Sequence, residues 1–96
     1  MNLGVFQKQP RERLSISIGY HKSLDEGDEI TEVVEWTVEP EEGALEVSVA
    51  LVSEKRVRIW FDKGVASDTP YKLTVIVRTK NGEQFEDEIF VVVYEI

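Results

Sequence analysis

The chain has 96 residues, no cysteine and a formal net charge of −8, which bounds it to one domain and excludes a disulfide framework and thiol chemistry. Between Ser23 and Glu54 there is no Lys or Arg, while eleven acids lie in that stretch; such a half repels a polyanion, so no nucleic-acid partner is expected. No apolar run approaches the ~20 residues needed to span a bilayer, and "MNLGVFQKQPRER" lacks the apolar core of a signal peptide, so no membrane partner is expected either.

Residues 1–12 read as an N-terminal arm or edge-type segment broken by Pro10, and residues 13–96 as a β-sandwich domain. "RLSISIGY" alternates, with Leu14, Ile16, Ile18 and Tyr20 facing one way and Ser15, Ser17 and Gly19 the other. "EITEVVEWTV" puts Ile30, Val34, Trp36 and Val38 on one face, with Trp36 as a core aromatic. "ALEVSVALV" groups Leu45, Val47, Val49 and Leu51. "KRVRIWF" groups Val57, Ile59 and Phe61, with Arg56, Arg58 and Trp60 opposite. "YKLTVIVRTK" groups Tyr71, Leu73, Val75 and Val77, and "DEIFVVVYEI" groups Ile89, Val91 and Val93. Period two in β-branched and aromatic runs is the signature of half-buried strands.

The separators are turn-like. "LDEGDE", "EPEEG" and "DKGVASDTP" carry acids, Gly and Pro. Asn81-Gly82 in "KNGE" predicts a type I′ hairpin, which needs positive φ at both central positions. "SLDE" at Ser23 matches a helix capping box, but no apolar helical run follows it, so it reads as a loop. Six strands, or seven with the N-terminal segment, predict an all-β fold: an antiparallel two-sheet immunoglobulin-like β-sandwich. A small closed barrel is the runner-up.

Catalytic and cofactor chemistry is not indicated. His21 is the single histidine and sits in a turn-like stretch; a triad would need it as base. There is no CxxC, HExxH or P-loop, so no cofactor is expected. "DEGDE" could offer carboxylates to calcium, but its register is wrong for an EF-hand loop. A compact sandwich leaves little room for a cleft of ~300 Å³ or more, so an enzyme is not expected.

Two outward surfaces stand out instead. Arg56, Arg58 and Trp60 share one face of one strand, a basic strip ending in an aromatic that would meet an acidic surface. In the last strand Phe90, Val92, Tyr94 and Ile96 point away from the core, with Ile76 joining them across the Asn81-Gly82 hairpin. They form an outward apolar patch rimmed by Glu86, Glu88, Arg78 and Lys80, the kind of surface that marks an interaction site. Either Val5 and Phe6 of the N-terminal segment fold over this face or a partner chain covers it.

One resemblance runs along nearly the whole chain. Lys8, Pro10 and Glu12 match a Lys-Xaa-Pro-Xaa-Glu opening, Gly27, Asp28 and Ile30 a Gly-Asp-Xaa-Ile step, and Trp36 and Val38 a Trp two residues before a Val. Trp60, Phe61 and Gly64 then precede Tyr71 and Thr74 of a Tyr-Xaa-Xaa-Thr strand, with Lys63-Gly64 where a doubled glycine is common. The pattern resembles small immunoglobulin-like structural proteins of tailed phages and prophages, some of which carry the name fibre–tail adaptor. The resemblance implies a non-enzymatic virion component, in the virion or the host cytoplasm. Its partners would be other virion proteins or copies of itself in a homo-oligomer. The alternative is a bacterial adhesion or carbohydrate-binding β-sandwich module, with Trp60 and Tyr94 as an aromatic platform, but a surface adhesin should also carry an export signal.

Overall fold

A computed structural model describes residues 2–40 and 44–95. Among the described residues seven strands form two sheets: β1 (Asn2–Lys8), β2 (Leu14–Gly19), β3 (Ile30–Glu39), β4 (Leu45–Ser53), β5 (Arg56–Gly64), β6 (Tyr71–Thr79) and β7 (Gln84–Val93). One sheet has the order β1-β7-β6-β3 and the other β2-β5-β4. No described residue is helical, and "SLDE" forms turns. All ladders are antiparallel except β1–β7, which is parallel. The order is that of an immunoglobulin-type Greek key in which the first strand has joined the sheet of the third, sixth and seventh.

The core lies between the sheets. Ile18, Tyr20, Leu45, Val49, Val57, Ile59 and Phe61 meet Leu73, Val75, Val77, Ile89, Val91 and Val93, all buried. The period-two readings of β5, β6 and β7 match this burial residue for residue. At the start of β6 the Tyr71 hydroxyl donates to Val65 O at 2.7 Å. That is the tyrosine corner of immunoglobulin-like sandwiches, which ties the strand to the loop before it.

Two turns explain most of the motif residues. The Lys8–Glu12 stretch carries the chain from one sheet to the other. Glu12 Oε1 accepts from Gln9 N at 2.6 Å, and Pro10 O accepts from Gly64 N at 3.0 Å. Lys8 itself is 1% exposed and donates Nζ to Gln9 O at 2.6 Å. Burial pulls its ammonium below its ordinary value, against the charges of Glu12 and Asp62. Gly27 has φ +82°, which lets the chain turn so that Asp28 points inward. Asp28 Oδ1 accepts from Glu29 N at 2.9 Å and Asn81 N at 3.0 Å, pinning the β2–β3 connection to the β6–β7 turn.

That last turn differs from the type I′ expectation. Only Gly82 has positive φ, at 90°, and Gly82 N donates to Thr79 O at 3.0 Å. The loop is a type I-like turn closed by a glycine, because Asp28 holds the Asn81 N–H and Asn81 keeps negative φ.

β3 also departs from simple alternation. Against β6 its register slips between Ile30 and Glu32 and again between Val33 and Glu35, so Thr31 and Val34 are bulge residues. The inward set is therefore Ile30, Val33, Trp36 and Val38, while Val34 is turned out and 38% exposed. Trp36 is inward by register yet 38% exposed, since β3 is an edge strand. Its indole N–H donates across the open seam to Val47 O of β4 at 3.3 Å. It closes a seam rather than filling the core.

Candidate docking surfaces

Residues paired across a sheet share a face, so the registers lay out each outer surface in rows. On the outer face of the four-stranded sheet one row reads Val5, Phe90, Lys72, Glu39. The next reads Glu88, Thr74, Thr37, and the one after it Glu86, Ile76, Glu35. Lys72 and Glu88 form an ion pair at 3.3 Å, and Arg78 and Glu32 another at 2.8 Å.

β1 decides what covers Phe90 and Val92. It adds to the sheet edge instead of folding over the face. Phe6 pairs with Val91 and packs on the core, while Val5 pairs with Phe90 and stays 62% exposed. Phe90 and Val92 are half-buried, Tyr94 is 37% exposed, and no described segment lies over them. The apolar patch is thus Val5, Phe90, Val92 and Tyr94. Ile96 lies outside the described residues. Ile76 is not brought to this patch: Lys72 stands opposite Phe90, and Ile76 lies four residues further along β6, ~13 Å at the usual strand rise. Glu86 and Glu35 flank it. Val5 is the patch member that outward alternation in the last strand could not reveal, because it arrives through a parallel pairing.

The three-stranded sheet presents a different outer face. Arg56 lies between Gly19 and Ser53, Arg58 between Ser17 and Ala50, and Trp60 between Ser15 and Ser48. The long side chains of β5 therefore form a ridge between two lanes of small residues. The Arg13 guanidinium lies 4.2 Å from the Trp60 ring centroid and that of Arg58 5.7 Å, a cation–π arrangement. Arg13 also pairs with Asp62 at 2.9 Å, and Arg58 Nη1 donates to Ser15 Oγ at 3.2 Å. Among the described residues neither Arg56 nor Arg58 has a carboxylate at ion-pair distance. Arg13 covers Trp60 on one side, which takes that side from any flat platform for a sugar ring.

Other features offer less chemistry. His21 is exposed in a turn. Asp28 of "DEGDE" spends its carboxylate on backbone N–H groups, and no group of three or more His, Asp or Glu side chains converges among the described residues. Small as the sandwich is, it has room for a cleft: one of about 530 Å³ opens between the β1 and β2 edges. It is lined by Leu3, Phe6, Ile16, Ser17, Ile18 and Gly19, none of which titrates.

The resemblance in the sequence is matched by comparison. No curated protein matches the chain. A family model described as podophage GP4 fiber-tail adaptor protein gp77 matches residues 8–92, a span that starts at Lys8 of the crossover turn and ends in β7 at Val92. With most of the sandwich inside that match, the chain belongs to the podophage GP4 fiber-tail adaptor protein gp77 family and is a phage structural component.

Proposed function

We propose that the chain is a non-enzymatic docking module of a virion, joining other virion proteins or copies of itself, with neither nucleic acid nor membrane as partner. The observation that carries this reading is the outer face of the four-stranded sheet. Val5, Phe90, Val92 and Tyr94 gather there at the β1–β7 edge, and nothing in the described chain covers them. An apolar patch edged by a diagonal ion pair, Lys72 with Glu88, is the anatomy of a protein-binding surface. The family name supports a role as an adaptor between fibre and tail.

The test is Phe90→Ser with Val92→Ser. Both side chains lie on the outer face, opposite in direction to the buried Ile89, Val91 and Val93. The variant should fold, with a cooperative thermal transition, and should fail to enter virions in a complementation assay. A folded variant that is incorporated like the wild type would sink the reading.

A further inference from the structure

Among the described residues the two sheets end in four edge strands, and three of them are blunted. β3 carries Glu32, Glu35 and Glu39 and two bulges. β4 carries Glu46 and breaks its register twice. β1 is bulged between Asn2 and Val5, and its Gly4 N–H donates to Asn2 Oδ1 at 2.9 Å. Charges and bulges are the usual means of keeping an edge from pairing with another chain. β2, "LSISIG", has none of them: no charge, no proline, and an unbroken register against β5 from Leu14 to Gly19.

The open side of β2 is laid out for a further strand. Tyr20 N donates to Lys55 O at 2.8 Å, one step beyond the β2–β5 ladder. Hydrogen-bonded pairs alternate along an antiparallel ladder, so Leu14, Ile16 and Ile18 turn their backbone groups to β5. The N–H and C=O groups of Ser15, Ser17 and Gly19 therefore point to the open edge, beside side chains too small to obstruct it. On its inward side the edge borders the cleft of about 530 Å³, where Leu3, Phe6, Ile16 and Ile18 supply apolar walls. Leu14, at the start of the same inward row, is 39% exposed. On its outward side Arg56 stands behind Gly19 and Arg58 behind Ser17. Arg58 already leans over β2, donating to Ser15 Oγ, and neither arginine has a carboxylate at ion-pair distance among the described residues.

We propose that β2 is a docking edge for an extended segment of another virion protein, which adds to the three-stranded sheet as a fourth strand, its apolar side chains in the cleft and its carboxylates against Arg56 and Arg58. This is β-augmentation: backbone pairing gives affinity and alternate side chains select the partner. Charge decides the occupant. A second copy's β2 would bring two more arginines to the edge and no acid, whereas a strand that alternates apolar and acidic residues satisfies both faces. The site is separate from Val5, Phe90, Val92 and Tyr94 on the other sheet, and it takes from the docking reading only that the partner belongs to the virion.

The probes are short synthetic peptides that alternate Leu or Val with Glu, the same peptides with Gln or Lys in place of Glu, and an array of overlapping peptides covering the phage's other virion proteins. Titration of the full chain at about 0.1 M salt should give the Glu peptide a dissociation constant below ~1 mM. Its binding should slow amide exchange at Ser15, Ser17 and Gly19, and the Lys peptide should not bind. Ser17→Pro removes an N–H that makes no ladder bond. The variant should keep a cooperative thermal transition and bind the Glu peptide at least ~10-fold more weakly. A Glu peptide N-methylated at the nitrogens that face β2 should lose binding in the same way, and it leaves the protein unaltered should Ser17→Pro perturb folding. R56Q/R58Q should weaken the Glu peptide at least ~10-fold and leave the Gln peptide unchanged. On the array, the segments bound by the wild type and not by Ser17→Pro should alternate apolar and acidic residues.

Glu and Lys peptides that bind alike overturn the proposal. So does Glu-peptide binding that survives N-methylation, or an array on which no segment distinguishes the wild type from Ser17→Pro. A wild type that sediments as a dimer through β2, dissociated by Ser17→Pro and displaced by no peptide, overturns the assignment of the occupant. The Phe90→Ser, Val92→Ser variant should bind the Glu peptide like the wild type, so failure of this site and failure of the docking reading are told apart.

Discussion

The hydroxyl of Tyr20 donates to Asp87 Oδ2 at 2.7 Å, and both residues are buried. Tyr20 follows β2 in one sheet and Asp87 lies in β7 of the other, so the bond ties the sheets together across the core. Tyr20 also stacks on Phe85 at 5.9 Å between ring centroids. Tyr20→Phe keeps the ring and removes a bond to a carboxylate, so it should cost about 1.5–3 kcal/mol. Burial, the hydrogen bond and the Asp87 charge all push the Tyr20 hydroxyl well above its ordinary range. A raised folded value means stability that is present below the unfolded value of about 10 and is lost as pH rises beyond it. Denaturant midpoints at several pH values should fall above pH 10 in the wild type and fall less steeply in Tyr20→Phe.

At the acid end the same reasoning falls on Asp28. Burial disfavours its charge, but the N–H groups of Asn81 and Glu29, the Thr79 side chain and Lys80 outweigh burial and hold its carboxyl below the usual range. A depressed folded value gives stability that is present above the unfolded carboxylate range and lost as pH falls through the folded one. Asp28→Ala should lower the melting temperature at pH 7 and flatten the loss of stability below about pH 4. An acid limb unchanged by the substitution would assign that limb to other carboxylates.

Where pairing is regular, the alternation of apolar residues reached the correct face: β5, β6 and β7 were legible because a period of two has one answer when no residue is inserted. β3 was not, because "ITEVVEWTVE" has two adjacent valines and a bulge can take either one. Trp36 read as core because its side is right; that its strand is an edge depends on sheet order, which local pattern does not contain. The same holds for Ile76 and Phe90. Outward alternation gives each its face, but only the register shows Lys72 opposite Phe90. Lys8 was visible only through the resemblance. A lysine buried to 1% exposure follows from the crossover turn, whose carbonyls it meets, and no period or spacing announces it.

The two valines give a direct check of the bulge. Val33 pairs with Val77 and packs on the core, whereas Val34 is the extra residue and is 38% exposed. Threonine has the shape of valine and suits a strand, so the substitution isolates burial of one hydroxyl. Val33→Thr should cost about 1–2 kcal/mol, and Val34→Thr should stay within about 0.5 kcal/mol of wild type. In a domain of this size the first is a shift of roughly 4 °C or more in melting temperature. Equal effects at the two positions would mean that β3 is not bulged there.

Gly64 tests a close approach between the two sheets. A Cβ at this position would lie 2.9 Å from Leu45 Cδ1 and 3.1 Å from Val93 Cγ2. Its backbone is not in the left-handed region, so the need for glycine here is steric and not conformational. Leu45 and Val93 are both buried, at 2% and 0% exposure, and belong to opposite sheets, so neither can move without disturbing the other layer. Gly64 N also donates to Pro10 O at 3.0 Å, which couples the site to the crossover turn. Gly64→Ala should therefore overpack this corner and cost about 1–3 kcal/mol, despite the gain that Gly→Ala brings by restricting the unfolded chain. Leu45→Val shortens one of the clashing side chains, so the double variant should lose less than the sum of the single losses. Chemical denaturation of the three variants measures the coupling. A Gly64→Ala protein as stable as the wild type would show that the Leu45 side chain has room to move aside.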